Sequence, residues 1–312
     1  MKICITGGLG YIGRHLIENL CKKGHSVVVI DKNDYIEDNL VSFFESRYSN
    51  FRFVHADIFD IDLNEIYREY TIESVVHLAS STDTRSNDNY RKNVYGLAME
   101  AYNQACCAGV KTFVNASSAV VYAYRNDNIP TEYGINKYFA ETTMLTKRNY
   151  FAEVSNLYNL RLFNPYGHSN IIPYSKHKKG LWFNAVKAHR EDTVLELRSK
   201  TLDQHGTCVR DWINIFDTVE TFARFATKPT NEFIDKPYWD VGTGQGTSSF
   251  IFISHFITIE DINLDITYVD ENPLDSYYSV SDPIDTNKYI NFRSSVGPKL
   301  YSNSYLNGVY VS

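Results

Sequence analysis

The 312 residues include only five cysteines, Cys4, Cys21, Cys106, Cys107 and Cys208, with no C-x-x-C pair and no Cys/His pattern at metal-ligand spacing. An odd, scattered set argues against a disulfide framework. It predicts reduced thiols, a cytosolic protein and no metal centre. No apolar run approaches the roughly 20 residues needed to cross a bilayer, so no membrane contact is expected. No long basic run occurs and the formal net charge is −6, which makes nucleic acid an unexpected partner. No cationic, apolar leader precedes the first strand pattern, so no signal peptide is expected. Repeats and low-complexity linkers are absent too. What is present is a 43% apolar chain. That is enough for one large α/β unit, or for a nucleotide domain with a smaller second domain.

The first half alternates strand and helix patterns. Strands are predicted at Lys2–Thr6, Ser26–Asp31, Phe51–His55, Ser74–His77, Lys111–Ala116 and Val154–Arg161. The run SVVVID at Ser26–Asp31 is β-branched throughout, as in a strand covered on both faces. Helices are predicted at Tyr11–Cys21, where Ile12, Leu16, Ile17 and Leu20 share a side, at Asp88–Cys107 and at Tyr133–Arg148. Repeated β-α units of this size imply a doubly wound parallel sheet with right-handed crossovers. After about Asn164 the pattern loosens. A helix is expected at Leu181–His189, short strands at Val194–Leu197 and Cys208–Ile213, and a return to the sheet at Trp239–Val241. The fold class is therefore α/β: a Rossmann sheet over residues 1–164, with 165–312 mainly a smaller α/β substrate-binding domain.

Between the first strand and first helix, ICITGGLGYIG places Gly7, Gly10 and Gly13 at G-x-x-G-x-x-G spacing. Glycine permits the tight turn and close backbone approach, and the helix N-terminus offers free N–H groups and partial positive charge to a pyrophosphate. Gly7, Gly10, Tyr11, Ile12 and Gly13 are thus expected along a dinucleotide. Asp31, at the end of the second strand, suits the adenosine ribose hydroxyls and repels a 2′-phosphate, favouring NAD over NADP; Lys32 softens that repulsion. Asp57, followed by Ile58, either accepts from the adenine amino group or caps a turn.

Tyr133 and Lys137 form Y-x-x-x-K on one helical face. An ammonium beside a phenol lowers the phenol pKa and makes it a usable base. Ser118, just after a strand, supplies a hydroxyl able to bond both a substrate oxygen and the phenol. Arg210 has the fork geometry for a phosphate, or alternatively pairs with Asp211.

In this order the motifs resemble the extended short-chain dehydrogenase/reductases, specifically their nucleotide-sugar epimerase/dehydratase branch. The resemblance rests on TGGLGYIG at Thr6–Gly13, Asp31, Asp57-Ile58, HLAS at His77–Ser80, Asn93 in NVYG, SSAVVY at Ser117–Tyr122 and YGINK at Tyr133–Lys137. It continues through RLFNPYG at Arg161–Gly167, VRDWINIFD at Val209–Asp217 and DVGTGQG at Asp240–Gly246. It implies that Leu78, Ala79, Ser80, Asn93 and Phe163 lie along the cofactor and that Lys137 also bonds the nicotinamide ribose. It implies further that Ser118, Tyr133, Asn164, Arg210 and Asp275 meet a nucleotide-sugar substrate, and that the protein dimerises through the two long helices.

Dehydratases of the branch carry an acidic pair after the serine or threonine. Here Ala119, Val120 and Val121 follow Ser118, and none can exchange a proton. The resemblance then implies an NAD-dependent epimerase, foremost a UDP-hexose 4-epimerase feeding surface-polysaccharide synthesis, working through a transient ketone. ADP-heptose 6-epimerases and keto-sugar reductases or dehydrogenases share the phrase SSTDT at Ser80–Thr84 or the same chemistry. A silent NAD(P)-binding sensor is the alternative of another class. The sequence departs from the family pattern in Ala123 for a glycine and Asn272-Pro273-Leu274-Asp275 for R-P-G-D. Ungapped counting puts the small Ser279 where hexose epimerases gate substrate size.

Overall fold

The structure, a computed structural model, describes residues 1–33, 39–81, 89–125, 131–151, 154–168, 180–199, 201, 206–228, 236–270 and 276–295. Its first half runs β1 (Lys2–Thr6), α1 (Tyr11–Lys22), β2 (Ser26–Asp31), α2 (Leu40–Arg47), β3 (Phe51–His55), α3 (Leu63–Glu69), β4 (Ser74–His77), α4 (Leu97–Ala108), β5 (Thr112–Ser118), α5 (Glu132–Phe151) and β6 (Asn156–Leu162). The second half runs β7 (Asn164–Tyr166), α6 (Leu181–Glu191), β8 (Leu195–Ser199), β9 (Val209–Asn214), α7 (Ile215–Thr227) and β10 (Trp239–Val241). It ends with β11 (Gly246–Ser248), α8 (Ser249–Glu260), β12 (Ile266–Asp270), β13 (Tyr278–Ser279) and α9 (Ile284–Ile290).

Seven parallel strands form the main sheet in the order β10-β6-β5-β4-β1-β2-β3. The order reverses beside β1, so the loop after β1 opens at a topological switch point, where ligands of such sheets bind. Side-chain alternation along the strands explains why both faces are apolar. Ile3, Ile5, Val27 and Val29 join one buried cluster, while Cys4, Val28 and Ile30 join the other. Cys4 thus fills a strand; burial holds its thiol well above the usual range, so it is inert. The first cluster continues without a break into Trp182 of α6, Leu197 of β8 and Phe252 of α8. A smaller sheet is centred on β9, which β7, β11 and β13 join.

Two features of the second half and one of the first shape the site. β10 pairs in parallel with β6 and extends the main sheet, as its sequence predicts. Helix α7 packs on α1 and on β4 and β5; the Asn214 side chain caps it, accepting from the Phe216 N–H at 2.9 Å. The long helix expected at Asp88–Cys107 instead begins as a π-helical turn at Arg91–Gly96, then becomes α4. The wider turn admits one extra residue per turn. Asp88 lies outside the described residues.

Candidate active site

The glycine loop is set by close approach of backbone to backbone. Gly7 has φ +70°, and a Cβ there would sit 2.6 Å from the Ala79 backbone. A Cβ at Gly13 would meet the Gly8 carbonyl oxygen at 2.3 Å. Gly8, absent from the expected set, is also constrained: its Cβ would fall 2.7 Å from Val29 Cγ1. Gly10, by contrast, would meet only the Gly7 carbonyl oxygen, at 3.2 Å. It is the N-cap of α1, where no side chain caps the helix and no acidic residue occupies the first turn. The N-terminus of α1, with its partial positive charge, is thus neither capped by a side chain nor neutralised by an acid of its first turn, which fits a pyrophosphate.

Beside this loop lies a cleft of about 400 Å³. Gly7, Asp31, Lys32, Asp57, Ile58, Leu78, Ala79, Ser80 and Asn93 line it. So do Asn33, Phe59 and Lys92, which carry no motif signal in the sequence. The Asp31 carboxylate accepts from Leu9 N–H at 3.0 Å and Asn33 N–H at 3.1 Å, bracing the glycine loop from β2. Burial raises its pKa above the ordinary value, and those backbone N–H groups pull it back. Lys32 lies 3.8 Å from Asp57, a long and exposed pair. Asp57 caps the turn after β3, accepting from Phe59 N–H at 3.1 Å, and also lines the cleft. Tyr11 and Phe163 are buried away from the lining. The Tyr11 hydroxyl donates to the Gly167 carbonyl at 2.6 Å and ties α1 to the segment after β7.

Ser118 ends β5, and Tyr133 and Lys137 stand on the first turns of α5. Tyr133 is buried; that pushes its phenol up to about 12, while a hydrogen bond with Ser118 pulls it down. Lys137 is buried as well, and desolvation lowers its ammonium to about 8, against an upward pull from Glu141. Its Nζ donates to the Ala116 carbonyl at 2.7 Å and lies 5.7 Å from the Tyr133 ring centroid. The sequence expectation of a phenol lowered by its lysine is thus corrected: burial raises the phenol, and the opposing pull comes from Ser118, while the ammonium bonds a backbone carbonyl.

Beneath these residues runs a buried polar network that the sequence did not announce. Glu141, one turn beyond Lys137, accepts from Arg161 Nε at 3.0 Å and Arg161 Nη2 at 2.6 Å, and from the Ser117 hydroxyl. The Arg161 guanidinium lies 4.7 Å from the Tyr122 ring centroid. The Tyr122 hydroxyl donates to Asp240 at 2.6 Å, and Asp240 accepts from Asp282 N–H at 2.9 Å. The signal available was the i,i+4 step from Lys137 to Glu141 and the arginine opening RLFNPYG.

On the substrate side, Asn164 Nδ2 donates to the Asp211 carbonyl at 3.3 Å. Arg210 does not pair with Asp211. Successive residues of β9 point to opposite faces. Asp211 is fully buried and accepts from the N–H groups of Thr243, Gly244 and Ser281 at 2.9, 2.9 and 3.2 Å. Arg210 Nη1 donates to the Val209 carbonyl at 3.0 Å, and Ser279 stands opposite Arg210 in the β9–β13 register. Asp275 lies outside the described residues.

The chain is 30% identical over 300 residues to a UDP-glucose 4-epimerase of Yersinia enterocolitica, covering 88% of this chain and 87% of that one. It is 26% identical to a UDP-glucose 4-epimerase of Bacillus subtilis (strain 168), covering 95% and 93%. Among solved structures, a UDP-glucose 4-epimerase from Stenotrophomonas maltophila with NAD and formylated UDP-arabinopyranose superposes with a TM-score of 0.83 at 22% identity, covering 98% and 95%. The model of the NAD dependent epimerase/dehydratase family matches residues 3–238, and the chain, with its glycine loop and its Ser118–Tyr133–Lys137 cluster in that family's order, belongs to it.

Proposed function

We propose that the chain is an NAD-dependent UDP-hexose 4-epimerase acting through a transient keto-sugar. The observation that carries this reading is the gathering of Ser118, Tyr133 and Lys137 at the end of β5, where Ala119, Val120 and Val121 follow Ser118 in the chain. None of those three positions offers the second acid that dehydration of the sugar needs. The relatives named UDP-glucose 4-epimerase support the same choice.

When bound, NAD supplies the hydride acceptor, and in reduced form the donor, for the sugar carbon, and in oxidised form a positive charge that favours phenolate. Gly7 through Gly13 would hold its pyrophosphate, and Asp31 its adenosine ribose. Ser118 bonds the reacting hydroxyl and the phenol. Tyr133 takes the hydroxyl proton as the ketone forms, and returns it after the sugar has presented its other face. Lys137 stays in its ammonium form below about pH 8, anchored on the Ala116 carbonyl, and would bond the nicotinamide ribose.

Residues 1–164 would serve the cofactor and 165–312 mainly the substrate, with Asn164 and Arg210 toward the nucleotide-sugar. A side chain as small as Ser279, opposite Arg210 in the register, would admit an N-acetyl group. A homodimer through α4 and α5 is supported by exposed Tyr138 and Phe139 on α5, beside an α4 that packs against it. A cytoplasmic place, supplying sugars for surface polysaccharide, accords with free cysteines; among the described residues no helix is long and apolar enough to cross a membrane.

Incubation with UDP-galactose, without added cofactor and followed by proton NMR, tests the reading. Appearance of the 4-epimer is expected. Net NADH production, or conversion confined to ADP-heptoses, would overturn it.

A further inference from the structure

The Glu141–Arg161 pair is the most heavily bonded buried charge pair among the described residues, with side chains 2% and 3% exposed, and no step of the reaction above uses it. A buried pair of this kind is a weak source of stability, because desolvation offsets much of the Coulomb attraction. Its placement is more informative. Tyr133, Lys137 and Glu141 recur every four residues on the buried face of α5. Arg161 reaches Glu141 from β6, and Ser117 reaches it from β5, one residue before Ser118. The carboxylate therefore pins the helix that carries the phenol and the ammonium to the strand that carries the serine.

We propose that Glu141 is a positioning residue of the site: clamped by Arg161 and Ser117, it holds α5 in register with β5 and sets its carboxylate one helical turn from the Lys137 ammonium. The assignment rests on Tyr133 and Lys137 being the reacting pair. Other groups facing Lys137 do not supply the negative charge. On its own helix Tyr133 is a neutral phenol. From β4, His77 is buried and bonded to the Thr6 hydroxyl at 2.8 Å; burial first, and then Lys137, lower it to about 3, so it is neutral. From β6 comes Arg161, a cation. The π-helical turn packed on α5 brings exposed Arg91 and Lys92. Glu100 of α4 is engaged with Gln104 at 2.8 Å. Among the described residues Glu141 is the charged group that, beside the Ala116 carbonyl, opposes the cost of burying the ammonium, and it raises the Lys137 pKa.

The test is a Lys137 titration in the full-length protein, read as the ε-carbon shift in lysine-labelled NMR spectra and assigned with Lys137→Met. Glu141→Gln keeps the shape and most hydrogen bonds but removes the charge. Its expected effect is a Lys137 midpoint lower by about one pH unit. Ser117→Ala removes a clamp but no charge, and is expected to leave the midpoint in place. An unmoved midpoint in Glu141→Gln, or an equal fall in both variants, would overturn the proposal. Should Glu141→Gln fail to fold, Arg161→Met is compared with Glu141→Gln/Arg161→Met, two variants that differ only in the carboxylate charge; an equal midpoint in those two overturns it. The titration needs no substrate, so failure of the epimerase assay leaves it decisive. Where epimerisation is seen, the alkaline limb of kcat should fall by the same amount in Glu141→Gln.

Discussion

The cofactor cleft and the reacting centre sit at the ends of neighbouring strands yet are built by opposite means. The cleft is made of backbone: glycines pressed against Ala79 and Gly8, uncapped N–H groups of α1, and one carboxylate that braces the loop. The centre is made of buried side chains whose charges are pushed from their ordinary values: a phenol near 12, an ammonium near 8, and a carboxylate–guanidinium pair below them. The first construction is intolerant of added volume. The second is sensitive to a change of charge or proton even where volume is kept.

That contrast can be broken or sharpened in four ways. The largest effect is expected from Tyr133→Phe, which changes almost no volume. Turnover should fall by about 10³-fold while NAD affinity, measured by fluorescence titration, holds; retained turnover would remove the phenol from the chemistry. Gly13→Ala adds a single carbon against the Gly8 carbonyl. It should cost about 3 kcal/mol in denaturant unfolding and weaken NAD at least tenfold, whereas an unaffected protein would show that the loop yields. Asp31→Asn is expected to weaken NAD about tenfold and narrow the preference over NADP, checked by paired titrations.

The smallest effect is a pH dependence of stability. The Lys137 pKa falls from its ordinary 10.5 to about 8 in the folded chain. Between those values the unfolded chain binds more protons, so this group makes stability rise with pH; below about 8 both states are protonated and the full burial cost stands. Lys137→Met removes that cost. Its melting temperature relative to the parent should therefore be most favourable below pH 8 and lose ground steadily toward pH 10.5. A constant difference would mean that the ammonium is not desolvated.

Much of the cleft was legible because it depends on local rules. The β-branched run at Ser26–Asp31 reads as a strand covered on both faces, and Gly7, Gly10 and Gly13 mark the turn that follows β1. Gly8 was not legible: the spacing rule omits it, and the requirement comes from Val29 across the sheet. Helix α7 was legible in principle, through the Asn214 cap and the step from Ile215 to Val219 to Phe222 to Ala226, but short apolar steps in a loop-rich half are easily passed over. The lowered phenol failed for a physical reason. Helical spacing places Lys137 beside Tyr133, yet only the fold decides that Nζ turns to Ala116 and that burial dominates. The Glu141–Arg161 pair is separated by twenty positions and becomes visible only when β6 lies beside β5.

The return of β10 to the main sheet has a consequence for how the chain can be divided. If the polypeptide ended near residue 164, β6 would become an unprotected edge strand, with a row of unpaired N–H and C=O groups open to other chains. The same cut would strip α7 from α1, β4 and β5 and uncover their apolar faces. The proposed division of labour between cofactor and substrate is therefore not a division into separable folding units. A fragment carrying the whole glycine fingerprint would be a poor dinucleotide binder and a good aggregation seed.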